Sequence, residues 1–159
     1  MPVFEEEFRV DAAPETVWRF LLDPKRLAPC LPGCAALEVE DDRAFRVQLT
    51  VKVGFLSTTQ DLRLTIVDAE PPRRLVAVGR GEDRTLSSQV EVCNTLELAP
   101  QGDAATLVRY RSEVKVLGRL GSIGDAVMKA RARQLAGQFA ENVRTAIEGH
   151  DRGSAEDRR

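Results

Sequence analysis

The sequence predicts an α+β fold in which a curved, seven-stranded antiparallel sheet grips one long C-terminal helix. Three observations predict it. Apolar and polar residues alternate with period two through most of Val3 to Leu117, the signature of half-buried strands. The separators between those runs are short, so successive strands meander rather than cross over. Finally, Leu120, Ile123, Val127, Met128, Leu135, Phe139, Val143 and Ile147 recur at helical spacing, with Asp125, Lys129, Arg133, Glu141, Arg144 and Glu148 largely between them. Read from Leu120 to Gly149, that helix is a rod about 45 Å long at ~1.5 Å per residue, with no internal proline and Gly149 placed as its stop. A sheet and a helix of that length cannot be sealed everywhere by 159 residues. The gap between them is the expected site.

In chain order, Val3 to Val10 opens as a strand with Val3, Glu5, Glu7 and Arg9 on one face and Phe4, Glu6, Phe8 and Val10 on the other. Pro14 suits a first helical turn, and Val17, Trp18, Leu21 and Leu22 form an apolar stripe that Asp23-Pro24 ends. Lys25 to Leu31 makes a second short helical piece before Pro29, Pro32 and Gly33 turn the chain. Six strands follow: Ala36 to Glu40, Ala44 to Val53, Thr58 to Ala69, Arg74 to Gly81, Thr85 to Ala99 and Ala104 to Leu117. The alternation is clearest where Phe45, Val47, Leu49, Val51 and Val53 interleave with Arg46, Gln48, Thr50 and Lys52. Beyond the helix, residues 150–159 are polar and charged and are expected to be disordered, leaving one domain over residues 1–149. A domain near this size buries roughly 70% of its unfolded surface, enough for a substantial core.

Composition excludes several function classes. A net charge of -2 with 30% charged residues supplies no field for nucleic acid. No apolar run approaches the ~20 residues that span a bilayer, and three consecutive glutamates stand where a signal peptide would be basic and then apolar. A cytoplasmic protein without stable membrane insertion is expected. Cys30, Cys34 and Cys93 are odd in number and lack a metal-type pair, which fits a reducing compartment; a Cys30–Cys34 link is the one disulfide the spacing leaves open.

The catalytic inventory is thin. The one histidine, His150, lies beyond the expected helix, so the fold offers no histidine for a triad, a metal centre or proton transfer. Glu91, Glu97 and Glu113 alternate with apolar neighbours and should meet water or pair with Lys52, Arg109 and Arg111. Cys34 is expected to pack as a small hydrophobe rather than react. Gly118, Gly121 and Gly124 do not match a phosphate loop and more simply let the helix start approach the sheet.

The functional signal is polarity on faces that should point inward. In the row Leu86, Ser88, Val90, Val92, Asn94, Leu96, Leu98, and again in Thr106, Val108, Tyr110, Ser112, Val114, Val116, hydroxyls and one amide interrupt apolar side chains. Unpartnered buried polar groups cost about 1–3 kcal/mol each, so Ser88, Asn94, Tyr110 and Ser112 bond to one another, to water or to a ligand. Opposite them the helix offers Met128, Ala132, Leu135, Ala136 and Phe139, small or soft groups that leave room for a flat apolar molecule. Arg131 borders that stripe, either reaching a ligand oxygen or snorkelling outward. The expected cavity residues are Trp18, Leu64, Ser88, Val90, Asn94, Tyr110, Ser112, Met128, Ala132, Leu135 and Phe139.

Several strings add a resemblance. Val17-Trp18 with Leu22-Asp23-Pro24, Leu31-Pro32-Gly33-Cys34, Val53-Gly54, Glu113-Val114-Lys115-Val116 and Gly118-Arg119-Leu120, in this order within residues 3–148, resemble the CoxG family of carbon monoxide dehydrogenase subunits. The element order is similar to the START-like (SRPBCC) superfamily of birch-pollen-allergen and polyketide-cyclase folds. This resemblance implies a helix-grip fold and a non-catalytic accessory protein, associated with a molybdenum hydroxylase and binding an apolar ligand such as a quinone or lipid in the grip cavity. Many such proteins carry a linker and a C-terminal membrane anchor, whereas this sequence ends about ten residues past the predicted helix. Two other classes stay open: a cyclase- or hydrolase-like enzyme, which needs an inward acid–base pair, and a ligand-free interaction module, which needs a filled core and an exposed apolar patch.

Overall fold

The computed structural model describes residues 3–83, 85 and 87–157. Its strands are β1 (Val3–Val10), β2 (Cys34–Val39), β3 (Ala44–Val53), β4 (Leu56–Glu70), β5 (Arg74–Asp83), β6 (Ser88–Pro100) and β7 (Thr106–Leu117). Helices α1 (Pro14–Leu21) and α2 (Pro24–Leu27) follow β1, and α3 (Asp125–Asp157) follows β7. The seven strands form one antiparallel sheet in the order β1-β7-β6-β5-β4-β3-β2. This is the helix-grip arrangement that the alternation and the long periodic stretch predict.

Local chemistry accounts for the punctuation. Pro14 opens α1 with Ala13 as its N-cap, and the Asp23 carboxylate accepts from the Lys25 amide to start α2. The β3–β4 hairpin closes over Gly54-Phe55, where Gly54 at φ 60° meets the turn's demand for a left-handed first residue. At Gly118, φ is 87° and a Cβ would overlap the Ser87 carbonyl oxygen, so the approach of the last connection to the sheet requires glycine there. Gly124 has open space around it and carries no such constraint.

The long helix differs from expectation at both ends. A 3-10 turn at Arg119–Ser122 occupies the expected first turn, and α3 begins at Asp125. At the other end the backbone stays helical to Asp157, because Gly149 does not take the positive φ that would stop it. Of the polar tail expected from His150, Arg158 and Arg159 lie outside the described residues. No described helix is long and apolar enough to cross a membrane.

Burial divides the grip into three zones along its length. At one end lies the main core, with Val10, Val17, Phe20, Val108, Val143 and Ile147 almost fully buried. At the other end, Val53, Leu120 and Ile123 form a smaller cluster with Val51, Leu56, Val90, Val116 and Met128 packed against it. Between the two the sheet and α3 do not touch closely. The helix is tied down at its flanks: Arg131 Nε donates to the Lys52 carbonyl (2.8 Å), Asn142 Nδ2 to the Cys30 carbonyl (3.1 Å) and Arg144 Nε to the Arg9 carbonyl (3.0 Å). Arg131 thus points out of the grip.

Candidate functional site

The middle zone is a cavity of about 430 Å³, inside the range typical of small-molecule sites. Its sheet wall is apolar: Phe45, Val47, Leu49, Leu62, Leu64 and Val92 come from alternate positions of β3, β4 and β6. The helix wall is Ala132, Leu135, Ala136 and Phe139, about two turns of α3 whose alanines leave the space open. Leu22, Leu27, Leu31 and Pro32 close a third side from α1, α2 and the turn after them. Phe139 meets Phe8 edge to face, with centroids 6.4 Å apart, where the cavity gives way to the main core.

Four side chains break this apolar lining: Glu6, Asn94, Tyr110 and Ser112. Strand pairing gathers them into one band, Glu6 opposite Tyr110 on β1–β7 and Asn94 opposite Ser112 on β6–β7. Tyr110 Oη donates to Asn94 Oδ1 at 3.2 Å and Ser112 Oγ donates to the same oxygen at 2.7 Å. One amide oxygen therefore satisfies two hydroxyls, while no hydrogen bond among the described residues engages the two protons of Asn94 Nδ2. Burial pushes the Tyr110 phenol above its ordinary pKa, only partly opposed by its contact with Ser112.

Of the expected cavity residues, Leu64, Asn94, Tyr110, Ser112, Ala132, Leu135 and Phe139 line this space. Four do not. Trp18 is packed into the main core, one helical turn before Leu21 and Leu22, which take its place at the cavity. Val90 and Met128 belong to the smaller cluster that plugs the far end. Ser88 is buried there too, and its Oγ accepts from the Leu120 amide at 3.0 Å, so this hydroxyl anchors the 3-10 turn. Leu86, from the same inward row, lies outside the described residues.

Sequence reasoning passes over much of the apolar lining, such as Phe45, Val47, Leu62 and Val92, and one polar member of it, Glu6. Alternation puts it on the inner face of β1 between Phe4 and Phe8, and that parity is the available signal. The acids singled out instead lie on the outer face: Glu91 faces Arg80, and Glu113 pairs with Arg111 at 2.7 Å. On that face Arg109 and Arg111 also pair with Glu7 and Glu5. They line a second, polar groove of about 630 Å³ together with Glu5, Glu6, Glu7, Glu97 and Tyr110, in which both guanidinium groups are already paired with Glu5 and Glu7.

The cysteines are free thiols among the described residues. Burial pushes Cys30 and Cys34 above the usual thiol range, and each Sγ faces a backbone carbonyl, of Arg26 and Ala36 respectively. Neither is set up as a thiolate nucleophile.

Comparisons with known proteins bear on the family and the fold. The model of the CoxG family of carbon monoxide dehydrogenase subunits matches residues 7–148. No curated protein matches the chain. Among solved structures, a conserved protein from Geobacillus kaustophilus is similar at TM-score 0.85 and 22% identity, covering 93% of this chain and 96% of that one. A START superfamily protein from Mycobacterium smegmatis reaches TM-score 0.72 at 13% identity, covering 92% and 97%. The Zhui aromatase/cyclase from Streptomyces sp. R1128 reaches 0.70 at 16% identity, covering 92% and 93%. At these identities the structures speak for the START-like fold, and the family model speaks for membership: the chain belongs to the CoxG family of carbon monoxide dehydrogenase subunits.

Proposed function

We propose that this chain is a non-catalytic accessory protein that holds an apolar ligand, quinone- or lipid-like, in the cavity between its sheet and α3. The observation that carries this reading is the cavity itself: about 430 Å³, apolar but for four side chains, and bordered by alanines on the helix. In this reading a flat ring system lies against Leu64, Leu135 and Phe139, and Asn94 Nδ2 donates to a ring oxygen. The family's name suggests a carbon monoxide dehydrogenase as the partner, and our proposal takes that partner to be a molybdenum hydroxylase met in the cytoplasm.

The likeness to an aromatase/cyclase keeps a second reading in view, in which the cavity catalyses a condensation. One carboxylate, a phenol with a raised pKa and an amide make a poor acid–base pair near neutral pH, which favours binding over catalysis. The test is calorimetric titration with a soluble short-chain quinone. Wild type should bind saturably, and Ala132→Trp or Ala136→Trp should abolish binding while unfolding at the wild-type midpoint. Identical curves for open and plugged proteins would reject the cavity as the site. Turnover of a polyketide-like substrate that depends on Glu6 would favour the enzyme.

A further inference from the structure

Glu6 is the only charged side chain among the described residues that line the cavity, and it stands beside its polar band rather than apart from it. Its neighbours Glu5 and Glu7 point outward to Arg111 and Arg109, at 3.3 and 3.1 Å. Strand parity turns Glu6 the other way; half-buried on the edge strand, it lines the cavity and also borders the polar groove, and no hydrogen bond or ion pair of the described residues holds its carboxylate. Both hydroxyls of the band are committed as donors to Asn94 Oδ1. What the band offers a ligand is therefore one donor group, Asn94 Nδ2, one charged acceptor, Glu6, and the weaker neutral acceptor lone pairs of the Tyr110 and Ser112 oxygens.

An apolar molecule bearing only a carbonyl would use the amide but would press hydrocarbon or a second acceptor against the carboxylate. Desolvating an ion without a partner is costly, so such a ligand would bind at a disadvantage. A ligand whose head also carries a donor removes that cost through a charge-assisted hydrogen bond, which is stronger than a neutral one. Resting on the ligand-binding reading above, we propose that the cavity selects apolar molecules whose polar head pairs an acceptor with a hydrogen-bond donor, Glu6 receiving the donor and Asn94 serving the acceptor. The same chemistry is presented by a ring hydroxyl or a protonated amine.

The experiment titrates the purified full chain by calorimetry with four probes of one skeleton: 1-tetralone, 6-methoxy-1-tetralone, 6-hydroxy-1-tetralone and 6-(aminomethyl)-1-tetralone. The hydroxy or aminomethyl probe should bind wild type at least tenfold more tightly than the methoxy probe, and whichever is tighter identifies the donor. Glu6→Leu should erase that preference by weakening the donor probe while the methoxy probe binds as well or better. Glu6→Gln, which keeps an acceptor but no charge, should retain part of it and guards against a folding defect in the leucine variant. Equal binding of all probes by wild type, or a preference that survives in Glu6→Leu, overturns the role of Glu6 and leaves the cavity reading standing. If no probe binds while the short-chain quinone does, donor selection is likewise rejected. If neither class binds, the cavity reading falls and takes this proposal with it.

Discussion

Replacing Asn94 by leucine tests the polar band at its centre. The substitution keeps the approximate shape of the side chain but removes the single oxygen that accepts from both Tyr110 Oη and Ser112 Oγ. Two hydroxyls then lose their partner in a cavity with an apolar wall, and each stranded group costs about 1–3 kcal/mol unless water reaches it. Because the band borders open space, cavity water can relieve part of this, and the expected loss is about 1–3 kcal/mol in total. The triple variant Asn94→Leu, Tyr110→Phe, Ser112→Ala removes every member of the network. Deleting all partners together is nearly neutral, so it should recover most of that loss. Urea unfolding followed by Trp18 fluorescence reads both effects as midpoint shifts with the slope unchanged, since Trp18 is packed in the core away from the substitutions. A single variant within about half a kcal/mol of wild type, or a triple variant no more stable than the single one, would refute the assignment of both hydroxyls to Asn94.

The remaining predictions follow from burial and charge. Phe139→Ala should cost about 2–4 kcal/mol in urea unfolding, because it loses the edge contact with Phe8 but opens into space that already exists. Ile147→Ala, at a position 1% exposed, should cost more than Leu135→Ala, which faces the cavity; the reverse order would mean that the space over Leu135 is filled. Tyr110 has a folded-state pKa raised above its unfolded value, so its contribution to stability is complete below the ordinary phenol range and is lost as pH rises through the folded pKa. Wild type should therefore lose stability above about pH 10, and Tyr110→Phe should flatten that decline. Finally, the polar, charged stretch from Asp151 to Arg159 offers no apolar face to a bilayer, so the protein is expected not to float with liposomes at physiological salt. If it does float, Phe55, 86% exposed at the β3–β4 tip, is the side chain whose replacement by serine should abolish it.

The alternation in β3, β6 and β7 is enough to assign faces: Asn94, Tyr110 and Ser112 lie on the inner face as their parity requires. Periodicity, however, reports which way a side chain points and not how far along the grip it sits. On β6 the inner row passes from the plug at Ser88 and Val90, through the cavity at Val92, Asn94 and Leu96, to the core at Leu98, and nothing in the pattern marks those borders. The same blindness misplaces Met128, which is one turn from Ala132 and shares its stripe, and Trp18, which is one turn from Leu21. Glu6 escapes for a different reason. A charge in an alternating strand reads as the wet face, and only its neighbours Phe4 and Phe8 reveal the opposite.

Every strand pairing in the sheet joins neighbours in sequence except one: β1 lies against β7, with Val3 opposite Glu113. The meander from β2 to β7 can assemble hairpin by hairpin, whereas seating β1 closes a loop of most of the chain at a larger entropic cost. The C-terminal helix is fastened to that same strand and its exit, through Arg144 to the Arg9 carbonyl and the Asp11 amide to Glu148. The first and last elements of the chain thus act as a clasp, and the wall carrying Phe4, Glu6 and Phe8 exists only while it is fastened. A molecule held between β1 and α3 bridges both halves of the clasp, so its binding energy adds directly to the stability of the joined ends.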